Sequence, residues 1–143
     1  MSRPLSFLLG VALVAAGCNR PDEGARAREL TSRALQGMLA YPQSTLVRVS
    51  AGEDAGEMIL TSPAPVSEIL AWYRQALKLN GWQVKSEQTR QGRVTLYVEK
   101  EGRPVWITLT PNTGGPGTTY TLVGAIIPPP PDSTRKDSAG VRP

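Results

Sequence analysis

The sequence predicts an α+β fold: an antiparallel sheet of about five to six strands, one long helix packed on it, and a second helix on the N-terminal side. Three observations predict it. Apolar spacing alternates between helical and strand periods in the order helix, two strands, helix, four strands. One segment, "GRVTLYVEKEGRPVWITLTP", is a two-strand hairpin by its side-chain alternation. One helical segment gathers Val66, Ile69, Leu70, Tyr73 and Leu77 into a single apolar stripe suited to covering a sheet.

The folded body is expected over residues 25–127. In "ARARELTSRALQGMLA", Leu30, Ala34, Met38 and Tyr41 recur at helical spacing, Arg26, Arg28 and Arg33 fall off the stripe, and Pro42 ends the helix. "STLVRVS" alternates, with Val47 and Val49 on one face and Arg48 and Ser50 on the other. "AGEDAG" is turn material, and "EMILTS" completes a hairpin. Pro65 suits the first turn of the long helix because its φ is already helical. Asn80-Gly81 is the stop, with Gly81 placed to turn left-handed and Trp82 to fold back onto Leu77.

The rest is β. In "WQVKSE", Trp82, Val84 and Ser86 share a face. With Glu101-Gly102 as a two-residue turn, Lys100 opposes Arg103, Val98 opposes Val105, and Tyr97 opposes Trp106. Leu96 then opposes Ile107, and Thr95 opposes Thr108. One face of this hairpin is Val94, Leu96, Val98, Val105, Ile107 and Leu109; the other carries Thr95, Tyr97, Trp106 and Thr108. "NTGGPG" is a glycine-rich connection, and "TTYTLVGAII" is a last strand that sets Tyr120 and Leu122 beside the hairpin.

Composition narrows the function classes. The chain has 143 residues, enough for one domain, and 16 Lys and Arg against 12 Asp and Glu, scattered without a run of like charge. Nucleic acid is therefore not an expected partner. There is no histidine and one cysteine, which leaves no Ser-His or Cys-His nucleophile and no Cys/His zinc site. The chain is expected not to be an enzyme: no catalytic residue, no metal ligand and no cofactor is assigned. Glu53, Asp54 and Glu57 read as an exposed acidic turn, with a calcium contact as the alternative, although their spacing fits no established calcium loop.

The single cysteine sits on a border. Arg3 and the free amine precede "LSFLLGVALVAAG", an apolar core of signal-peptide length that is too short to span a bilayer. Small residues and then Cys18 follow. "VAAGC" resembles a bacterial lipobox, the motif of type II signal peptides, although Ala15 stands where Leu is usual. The resemblance implies cleavage between Gly17 and Cys18, a diacylglyceryl thioether on Cys18, and acylation of the new amino group. Acyl chains on that residue anchor a protein to a membrane face without spanning it. Asn19, rather than Asp, resembles the class directed to the outer membrane.

Residues 1–17 are then the leader, 18–24 a polar tether, and 128–143 a tail that opens on four prolines expected to be polyproline II. Within the body, "YPxS" at residues 41–44 and "WYRxALxxxGW" at residues 72–82 resemble small helix-on-sheet domains of bacterial envelope lipoproteins. Those motifs are structural and carry no catalytic residue across.

The expected function is a membrane-anchored, periplasm-facing lipoprotein with a non-catalytic accessory, scaffold or protein-binding role. Its partners would be the membrane through the anchor, and envelope proteins or peptidoglycan. The alternative is a module that binds a small apolar ligand or lipid at the helix–sheet interface, in a pocket lined by Val94, Leu96, Ile107 and Leu77. Tyr97 and Trp106 either lie under the N-terminal helix stripe of Leu30, Ala34 and Met38, or form a binding face.

Overall fold

The computed structural model describes residues 21–127. The leader, Gly17, Cys18 and the residues 128–143 lie outside the described residues. Helix α1 spans Pro21–Ala34, with Asp22 and Glu23 in its first turn and Arg33 in its last, each complementing the helix dipole. It begins inside the segment expected to be tether and stops well before Pro42. The Leu35 N–H still donates to the Thr31 carbonyl (2.9 Å), but the chain then leaves the helix through Gly37 at φ +78°. Residues 35–44 run on as a strap. Met38 and Tyr41 therefore reach the core from the strap and not from a helix.

Strands β1 (Thr45–Ala51) and β2 (Ala55–Ser62) form the expected hairpin, followed by α2 (Val66–Leu79) and then β3 (Gln83–Arg90), β4 (Arg93–Lys100), β5 (Arg103–Pro111) and β6 (Thr118–Ala125). The six strands lie in the order β1-β2-β6-β5-β4-β3, and every neighbouring pair is antiparallel. After β2, helix α2 carries the chain over one face to the far edge. The meander β3-β4-β5-β6 then walks back until β6 pairs with β2.

The architecture is the predicted α+β fold, with both helices on the same face of the sheet. Helix α2 packs on β3, β4 and β5 through Ile69, Tyr73 and Leu77, while α1 packs on β1, β2 and β6. Between these layers Val94, Leu96, Val98, Val105, Ile107 and Leu109 are all buried, together with Leu60, Tyr120 and Leu122. Each such side chain contributes roughly 1.5–3 kcal/mol on leaving water, so this face is what holds the helices.

The β4–β5 register is the predicted one, pair by pair, from Lys100 opposite Arg103 to Thr95 opposite Thr108. Its turn has Glu101 at φ +52° and Gly102 at φ +72°, the doubly left-handed geometry whose twist matches the flanking strands. Helix α2 ends as expected: Gly81 has φ +75°, and the Trp82 N–H reaches the Leu77 carbonyl at 2.9 Å. Pro65 sits one position outside the first turn, as N-cap.

Two bulges alter the predicted faces. In β1 the register shifts between Leu46 and Arg48, so Leu46 and Val49 share the helix side and Val47 is left exposed. In β3 it shifts between Val84 and Ser86; Val84 then opposes Val98 on the helix side, and Ser86 opposes Tyr97 on the other. Both bulges fall on edge strands, where an irregular ladder obstructs pairing with a foreign strand. The acidic turn is also divided: Glu53 and Asp54 are exposed, while Glu57 accepts from Arg48 (3.2 Å) and Ser50 (3.1 Å) across the hairpin.

Candidate functional site

The site is built where α1 meets the sheet. Gly56 of β2 and Gly124 of β6 oppose each other on the helix side. A Cβ on Gly56 would stand 2.6 Å from the Thr31 Cα, and one on Gly124 would stand 2.4 Å from the Ala34 carbonyl oxygen. With no side chain beneath it, α1 rests directly on strand backbone at this point. The Thr31 hydroxyl, fully buried, donates to the Ser50 carbonyl at 2.9 Å and fixes the helix against β1.

The strap that follows α1 is held by side chains from α2, from the α2–β3 connection, and from β5 and β6. The Tyr73 hydroxyl donates to the Leu39 carbonyl (3.0 Å), Trp82 Nε1 to the Gly37 carbonyl (3.2 Å), and Arg103 to the Gln36 carbonyl (3.1 Å). The Tyr120 hydroxyl accepts from the Tyr41 N–H (3.1 Å) and donates to Ser44 Oγ (2.6 Å). The Tyr41 ring meets Trp72 edge-on at 5.6 Å, and its phenol donates to the Glu68 carboxylate. That bond holds the Tyr41 pKa above its ordinary value. The two sequence motifs at residues 41–44 and 72–82 thus meet in space, and their work is to pin the strap.

Helix, strap and sheet border an open groove of about 520 Å³. Its floor is Leu46, Val49, Met58 and Leu122 from three adjacent strands; Leu35 and Met38 line its wall, and Arg28 and Gln36 add polar groups. The β1 bulge contributes directly, because it turns Leu46 and Val49 to the same side. A groove of this size with a mostly apolar lining and few polar groups is suited to a small apolar molecule.

The residues named from sequence fall elsewhere. Val94, Leu96, Ile107 and Leu77 are sealed in the core at 4, 0, 0 and 2 % exposure. The void beside Leu77 is about 10 Å³, room for one water at most. The expected pocket under α2 is therefore a close-packed interior, and the open space lies under α1 instead. Tyr97 and Trp106 are not covered by α1, because α1 is seated on the opposite face of the sheet. The two rings stack at 5.1 Å and 27°, and Trp106 is 40 % exposed. The Tyr97 phenol donates to Glu99, which raises the Tyr97 pKa.

Sequence reasoning missed the strap bonds and the glycine seat. A signal for half of the seat was present: Gly124 interrupts the pattern of the last strand, which marks a close backbone approach, whereas Gly56 was hidden in a segment read as turn. A family model described as START domain-like matches residues 43–118, from the strap through the start of β6. No curated protein and no solved structure matches the chain.

Proposed function

The chain belongs to the START domain-like family, and on that premise we propose that it is a non-catalytic module that holds a small apolar molecule in the α1 groove while tethered to a membrane face. The observation that carries the reading is the groove itself: about 520 Å³, floored by four apolar side chains and bounded by a helix and a strap. The family match adds support, since its span contains β1 and β2, which supply most of that floor. The proposed tether is lipid on Cys18, at the outer membrane and facing the periplasm. Pro21, the first residue of α1, is the third residue after Cys18, so such an anchor would keep the groove close to the bilayer.

The test is displacement of a fluorescent fatty-acid analogue from the purified, delipidated protein. Leu46→Asp places a carboxylate on the groove floor at a residue that is 52 % exposed, so the fold tolerates it. The expected result is at least a tenfold weaker analogue affinity with an unchanged melting temperature. Equal affinity in the variant and the parent, or no binding by the parent, overturns the groove as the site. A second reading, an accessory role in the envelope, rests on the uncovered sheet face and its Tyr97–Trp106 stack.

A further inference from the structure

The sheet face turned away from both helices is laid out in rows across β3, β4 and β5. Arg90, Arg93 and Thr110 form one row; Gln88, Thr95 and Thr108 the next; Ser86, Tyr97 and Trp106 the third. Successive rows are two residues apart, about 7 Å, so the arginines and the ring pair are separated by roughly 14 Å. Around the first two rows lies a hollow of about 680 Å³ lined by Arg90, Arg93, Gln88, Thr95 and Thr110.

Arg90 stands directly opposite Arg93 in the ladder, a like-charge pairing that destabilises a sheet. Among the described residues no carboxylate lies within ion-pair distance of either guanidinium to relieve it. The acids of this face are already engaged. Glu57 pairs with Arg48 at 3.2 Å, and Glu99 lies 3.7 Å from Lys85 while accepting from Tyr97.

We infer that this hollow binds a saccharide chain bearing carboxylates. The two guanidinium groups take the acid, with the planar fork geometry that suits a carboxylate. Gln88, Thr95 and Thr110 provide amide and hydroxyl partners for sugar hydroxyls, and the exposed Trp106 on Tyr97 offers an apolar surface for sugar C–H groups. The hollow is far larger than a simple anion needs, and apart from the two arginines its lining is uncharged. A nucleic-acid strand requires cations distributed along its length, whereas the two cations that line this hollow, Arg90 and Arg93, sit side by side. This site is separate from the α1 groove, on the other side of the sheet, and does not depend on it.

Calorimetric titration of the full-length protein with polygalacturonate oligosaccharides tests the assignment, with a neutral malto-oligosaccharide, single-stranded DNA and anionic phospholipid vesicles as the other arms. The uronate is expected to bind at least tenfold more tightly than the neutral sugar. Arg90→Glu turns the like-charge pair into an opposite-charge pair, so its melting temperature is expected to hold or rise while uronate affinity falls at least tenfold. Trp106→Ala is expected to weaken the uronate several-fold. No uronate binding, unchanged binding in Arg90→Glu, or DNA or vesicles bound as tightly as the uronate overturns the proposal.

Discussion

Tyr73 serves the core and the site with one side chain. Its ring is 1 % exposed and packs edge-on against Trp72 and Tyr120, while its hydroxyl reaches out to the Leu39 carbonyl of the strap. Burial, and then the neighbouring Tyr120 phenol, push its pKa far above the ordinary tyrosine value. The unfolded chain releases this proton near pH 10, but the folded protein keeps it. Above that pH the folded state binds more protons than the unfolded state, so stability falls as pH rises and is unaffected below. Tyr73→Phe is expected to flatten the alkaline loss of stability between pH 9.5 and 11. At neutral pH it should cost about 1 kcal/mol for the lost hydrogen bond. Urea midpoints measured across that range check both; an unchanged alkaline slope would remove Tyr73 as its source. None of this was legible in the sequence, where Tyr73 is one member of an apolar stripe. Its hydroxyl partner lies 34 residues away and depends on where the strap runs.

Among the elements, α1 depends most on a missing atom. Gly124→Ala would drive a Cβ into the Ala34 backbone, which cannot swing aside as a flexible side chain would. The expected loss is roughly 1–3 kcal/mol. That is a fall in melting temperature on the order of 5–15 °C, read by calorimetry, with α1 lifted from the sheet and the groove reshaped. Gly52→Ala, where nothing lies within 4 Å, serves as the control and should leave the melting temperature unchanged. A Gly124→Ala protein as stable as its parent would show that α1 is not held by this seat. The elements that sequence located best are those stabilised by near neighbours. The β4–β5 register followed from a two-residue turn and strict alternation, and the end of α2 from Asn80-Gly81. The end of α1 and the two bulges were missed, because each is set by what the segment packs against. Periodicity continued through Met38 and Tyr41, yet bonds from Tyr73, Trp82 and Tyr120 hold that stretch as a strap.

At the scale of the whole fold, the described residues form a sheet with one face clothed by helices and one face that no described helix covers. Clothing takes both helices, leaving a close-packed core under α2 and a groove under α1; the other face carries Arg90, Arg93 and the aromatic stack. The proposed lipid on Cys18 would hold this body to a bilayer. Cys18→Ser is expected to remain in the precursor form and to lack the acyl mass of the parent N-terminus by mass spectrometry; a normally processed, membrane-bound Ser variant would remove the anchor. By itself, the sequence determined the order and type of the helices and strands, the register of the central hairpin, and the apolar face that becomes the core. Those properties arise from periodicity and turn chemistry within a few residues. The tertiary structure decided the face on which α1 sits, the place of the groove, and the exposure of Tyr97 and Trp106. These rest on contacts between distant segments, such as the Tyr41 N–H on the Tyr120 hydroxyl 79 residues away, and on the absent side chains of Gly56 and Gly124. A local pattern cannot register a clash that occurs only once two remote elements meet.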